Sequence, residues 1–90
     1  MTTWNYRIAT KVTQANNSSL PWREFLIIEC YYKNGTPDGY IEKDILSGWS
    51  EVEDLVSTLD LIIDAKTRPV LDLDNWPNEW YKNKKHASKI

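Results

Sequence analysis

Ninety residues confine the chain to one small domain with a modest core, and a net charge of −2 from 11 basic and 13 acidic side chains gives no overall pull toward nucleic acid. Cys30 is the only cysteine, which excludes an internal disulfide and suits a reducing compartment. No cationic stretch followed by an apolar run opens the sequence, and no apolar run nears the roughly 20 residues that cross a bilayer, so a soluble cytoplasmic protein without a signal peptide is expected.

Trp4 to Val12 alternates: Trp4, Tyr6, Ile8 and Val12 fall on one side, Asn5, Arg7, Ala9 and Lys11 on the other, the pattern of a half-buried strand. Thr13 to Ser19 is polar and reads as a loop. Trp22 to Tyr32 predicts a second strand with apolar groups on both sides, hence a central one. Its set Leu26, Ile28 and Cys30 carries no charge and is expected to face the helix that follows. Phe25, Ile27 and Tyr31 make the other set, with Glu29 among them.

Asn34-Gly35 supplies the positive backbone angles of a tight hairpin. Pro37 and Gly39 then delay the third strand to about Tyr40–Asp44, on an edge. Ser50 to Lys66 predicts an amphipathic helix, with Val52, Leu55, Val56, Leu59, Ile62 and Ile63 in one apolar stripe to be buried. Ser50 is placed to cap it, with Glu53 reaching back, and Pro69 ends it. Pro69 to Leu73 reads as a short extended segment, and Asn75 to Tyr81 as an aromatic knot.

The order strand, strand, strand, helix, short extended segment defines an α+β fold: a three-stranded antiparallel sheet with one helix on one face, over residues 1–82, and a flexible basic tail at 83–90. The second sheet face is left open, so Phe25, Ile27 and Tyr31 would favour a homodimer or a partner.

Charge is unevenly laid out. Residues 50–74 hold Glu51, Glu53, Asp54, Asp60, Asp64, Asp72 and Asp74 against Lys66 and Arg68, while residues 75–90 hold Lys82, Lys84, Lys85 and Lys89 against Glu79. Glu53, Ser57, Asp60 and Asp64 share a helical ridge, which fits plain solvation and also fits a basic partner. The acidic block argues against direct nucleic-acid binding there; Lys82, Lys84 and Lys85 beside aromatics are a short and unspecific run.

Catalytic signals are sparse. His86 is the only histidine and stands among tail lysines; Cys30 sits mid-strand among apolar neighbours, where a thiol is inert; no glycine-rich loop enters a helix. Asp72 and Asp74, with Asp64 or Glu53, form no full ligand set for a divalent ion. Five tryptophans are a heavy load for this length. Trp76, Trp80 and Tyr81, beyond the last regular element, either fold back on the body or anchor a partner.

Trp4-Asn5-Tyr6-Arg7, Glu29-Cys30-Tyr31-Tyr32 with Asn34-Gly35, the helix from Ser50, and Pro69-Val70-Leu71-Asp72 together resemble a family of small bacterial and phage proteins, most of them uncharacterised. Their pattern is WNYR, then E-V-Y-Y-D-x-x-G, an S-x-E-E-L helix and a K-P-V-L-D ending. The resemblance covers roughly residues 4–74. Cys30 departs from the usual Val, the loop at 13–21 is longer, and the chain beyond Asp74 is extra. The element order is also similar to that of HicB-type antitoxins, a likeness of fold that implies a toxin-neutralising partner role.

The expectation is thus a small acidic inhibitor that binds a basic protein, such as an immunity protein or antitoxin against a nuclease toxin. A phage anti-defence inhibitor or a homodimeric regulatory module is the alternative. Partner-binding residues would be Glu53, Asp54, Asp60, Asp64, Asp72, Asp74, Trp76, Trp80 and Tyr81. No catalysis, metal or cofactor is expected.

Overall fold

The computed structural model of the protein describes residues 2–14 and 20–80. β1 (Thr2–Thr13) and β2 (Trp22–Lys33) form a long antiparallel pair with Ala9 opposite Leu26. The hairpin into β3 (Thr36–Ile41) turns on Asn34 (φ 53°) and Gly35 (φ 82°), the paired positive angles that the Asn-Gly dipeptide promised. β3 starts earlier than Tyr40 and takes in Pro37 and Gly39. It is an edge strand, where a missing N–H is tolerated, and an irregularity opposite Tyr31/Tyr32 accommodates the ring.

The sheet has four strands, not three. β4 (Leu71–Asp72) pairs in parallel with β1, Leu71 opposite Ala9, giving the order β3-β2-β1-β4. The expected antiparallel sheet is therefore mixed, because two paired residues carry no periodicity of their own to announce them.

Register sorts the side chains into two faces. Asn5, Arg7, Ala9, Leu26, Ile28, Cys30 and Tyr40 share one; Tyr6, Ile8, Ile27, Glu29, Tyr31 and Ile41 share the other. The innermost cluster is Ala9, Ile28, Cys30 and Leu71, covered by Leu73 and Trp76. So Leu26, Ile28 and Cys30 face the C-terminal segment and not the helix. That segment takes the place on this face where the helix was expected: it winds through a 3-10 turn (Leu73–Asn75) and a cis Trp76-Pro77 bond to a bridge between Leu71 and Glu79.

α1 (Val52–Asp64) runs into a 3-10 turn, Ala65–Thr67, and approaches the sheet beside β1, where Leu61 and Asp64 share a small cavity with Trp4, Asn5 and Tyr6. Ser50 does not cap it. The N-cap is Glu51, extended at φ −123°, with no side-chain bond, because the first turn begins one residue later than the Ser50 pattern requires.

The helix buries Thr58 and, just past its end, Ala65, with Leu55 and Ile62 half-buried between them. The rest of the expected stripe is outside: Val52 is 66 % exposed, Val56 52 %, Leu59 42 % and Ile63 57 %. An apolar arc of this width exceeds the one line of contact that a helix makes with a sheet.

Ile28→Ala is expected to cost about 2–5 kcal/mol, since the side chain leaves a fully enclosed site. Val56→Ala should change stability by no more than about 0.5 kcal/mol. Urea midpoints at constant m value check both; matching losses would show that Val56 is buried.

Candidate functional site

Three charged or aromatic assemblies lie outside the core, and the sequence-expected residues divide among them. The first is the outer surface of α1. At about 100° per residue, Glu53, Asp60 and Asp64 stand in one row, and Val52, Val56, Leu59 and Ile63 in a second row roughly a quarter-turn away. Among the described residues Glu53 and Asp60 have no ion pair; Asp64 accepts from Arg68 Nε at 3.1 Å, an exposed contact of little energy. Asp54 falls on another side, in line with Leu61, and its backbone oxygen accepts from Thr58 Oγ1 at 2.9 Å.

The second assembly absorbs the other candidates into the fold. Asp72 caps the 3-10 turn, accepting from Asp74 N at 3.0 Å, and Asp74 Oδ2 accepts from Val12 N at 2.8 Å, extending the edge of β1 beyond β4. Trp76 packs on Tyr40 with ring centroids 4.8 Å apart. Trp80 stacks edge-on against Phe25 at 5.2 Å, with the Arg23 guanidinium over its ring and its backbone N–H donating to Val70 O at 2.7 Å. Both tryptophans are half-buried. Tyr81, His86 and the expected boundary at 82 with its tail 83–90 lie outside the described residues.

The third was not singled out by sequence reasoning. Arg7, only 7 % exposed, donates through Nη1 to Tyr32 Oη at 2.7 Å and through Nη2 to Pro69 O at 2.8 Å; Tyr32 Oη in turn donates to Asn5 Oδ1 at 2.9 Å. Its Nε is buried with no acceptor among the described residues. Arg7 lies at the base of a cleft of about 700 Å³ with Tyr32, Pro37, Asn75 and Glu79 along its walls. An isolated Arg in an alternating strand reads as a solvent-side residue, so only the partner segment at Pro69 explains its burial.

Elsewhere, charges are spent within the body. Glu29 accepts from Lys43 Nζ at 2.8 Å and from Tyr31 Oη at 2.6 Å. The lysine and the phenol together hold its carboxyl below the usual range, against the opposing effect of burial. Lys11 pairs with Glu42 at 2.8 Å. Burial pushes the Cys30 thiol up, the environment of an unreactive sulfur. Among the described residues no three His, Cys, Asp or Glu side chains are grouped as metal ligands, and no helix is long and apolar enough to cross a membrane.

Set against protein-family models, curated proteins and solved structures, the chain matches none.

Glu29 gives a pH prediction. Its folded pKa lies below the unfolded one, so its contribution is full above the ordinary glutamate range and is lost as pH falls through the lowered folded value. Glu29→Gln should accordingly be less stable than the parent at neutral pH, with the gap closing on acidification. A gap that is constant with pH, in parallel urea titrations, would show that the Lys43 and Tyr31 contacts do not act through the charge.

Proposed function

We propose that this protein is a stoichiometric binder of a basic partner protein, of the kind that neutralises a nuclease toxin, and that it works without catalysis of its own. The observation that supports the reading most directly is the outer surface of α1, where Glu53 and Asp60, without an ion pair among the described residues, run alongside exposed Val52, Val56, Leu59 and Ile63. Acidic side chains steer a cationic partner at long range, and adjacent apolar side chains hold it once docked. Plain solvation would account for the acids and leaves the neighbouring apolar row without a reason.

The apolar contribution in this reading comes from the helix and not from Trp76 and Trp80, which are engaged with Tyr40, Phe25 and Arg23. Asp72 and Asp74 likewise serve the C-terminal turn, and Asp54 is off the ridge. The working surface thus reduces to Glu53, Asp60 and Asp64 with the apolar row beside them. Whether the partner is a toxin of the same cell or a defence nuclease met by a phage is decided by the neighbouring genes.

The test is association with the purified product of the adjacent gene, followed by surface plasmon resonance at several salt concentrations. The charge-reversed pair Glu53→Lys and Asp60→Lys should slow association by about tenfold or more at low salt, with the difference shrinking as salt rises. Identical rates for parent and variant across the salt series would overturn the proposal.

A further inference from the structure

We infer that the exposed row of α1 is a docking seam for one basic amphipathic helix of the partner. The inference rests on the reading above, that the partner is a basic protein, and adds the shape of the element that binds. Val52, Val56, Leu59 and Ile63 are spaced four, three and four residues apart, the spacing of alternate d and a positions in a heptad. Such a row forms the holes into which a second helix places its own apolar side chains. The β-branched Val56 and Ile63 take the a positions and Leu59 a d position, the arrangement that favours two strands over three or four.

Flank chemistry decides what kind of helix fits. One flank of the row is the more buried side of the helix, carrying Leu55, Thr58 and Ile62. The other is lined by Glu53, Asp60 and Asp64, so the matching flank of the incoming helix carries Lys or Arg. A second copy of this chain does not meet that demand. Val52–Asp64 contains no lysine or arginine, and antiparallel pairing of two copies lays the acids of one against the acids of the other. An extended strand is a poorer fit as well, since its side chains alternate and cannot follow a row that repeats every three and four residues.

The probes are three synthetic peptides of roughly 20 residues, about the length that spans the helix with a turn to spare at each end. One has Leu and Ile at heptad positions with Lys on both flanks; the second has the same apolar row with Glu flanks; the third scrambles the first. Amide spectra of the isotopically labelled full chain read the binding. The Lys-flanked peptide should shift resonances of α1 selectively, with at least about tenfold weaker binding by the Glu-flanked and scrambled peptides. Val56→Ser with Leu59→Ser should abolish the shifts while the circular dichroism spectrum stays unchanged, because both side chains are exposed in the free protein.

Equal binding of the scrambled peptide, or shifts centred away from α1, overturns the seam. Concentration-dependent self-association that is lost in the serine variant overturns it in favour of a second copy. Movement of α1 resonances in Lys84→Glu with Lys85→Glu, without peptide, overturns it in favour of the chain's own basic end. Failure of the seam is separable from failure of the binding proposal. A natural partner that still binds the serine variant normally, yet is lost with Glu53→Lys and Asp60→Lys, removes the helix-on-helix geometry and leaves an acidic binder.

Discussion

The parallel pairing of Leu71 with Ala9 is the contact on which the rest of the architecture depends. β1 and β3 both run antiparallel to β2, so β3, β1 and β4 all point the same way, with β3 and β4 on opposite edges. The chain has to cross the sheet to join them, and α1 lies in that crossing. Two residues are too few to hold a strand by themselves. Arg7 reaches Pro69 O at the entry, Asp74 takes the N–H of Val12 at the exit, and the backbone of 78–80 bonds back to Asp72 and Val70. The buried guanidinium at Arg7 is thus a strut: it donates to the Pro69 carbonyl at the turn into β4.

A helix used as a crossing is held along one line. The most buried positions along it are Thr58 and Ala65, small residues that let the backbone come close to the sheet. The larger aliphatics of α1 stand to the side of that line or away from it, an inversion of the usual surface helix, in which the bulk faces inward. The other sheet face, where those aliphatics had an apolar surface to meet, is taken by Leu73 and Trp76. With β4 in place and its continuation turned back over Ile28 and Cys30, that face is covered without the helix, and Val52, Val56, Leu59 and Ile63 stay exposed.

Local physics was legible and long-range pairing was not. Alternation located β1, an apolar run on both sides located β2, Asn34-Gly35 located the hairpin, and the three- and four-residue spacing located α1, because each is set by neighbours in sequence. The parallel contact of Leu71 joins residues 62 apart and leaves no periodic trace. Its absence from the expectation carried the errors that followed: the orientation of the Leu26, Ile28 and Cys30 set and the full burial of the helix stripe. Ser50 failed as a cap for a smaller reason, a one-residue offset in the first turn. The acidic ridge was visible from spacing alone. The apolar row beside it was visible too, but it was taken for core, since the sequence does not state how much of an apolar arc a neighbour will cover. The width of the arc was the available sign, as it takes in Leu55 and Ile62 on one side and Val56 on the other.

The helix dipole favours one end of the acidic ridge and opposes the other. Acids in a first turn are favoured by the positive end of the helix, which accounts for Glu53 and Asp54 in structural terms. Asp64 stands in the last turn and Asp60 one turn before it, toward the negative end, and α1 has no base in its last turn to offset them. Arg68, in the chain beyond, partly compensates Asp64 across 3.1 Å; Asp60 has no such neighbour among the described residues. Lysines elsewhere are drawn to Glu42 and Glu29, on the linker and on β2, and not to the helix. The free protein therefore keeps an acid where its own field disfavours one, beside aliphatics that its own sheet does not cover. A local choice that opposes the fold at two levels at once is what the proposed partner would compensate.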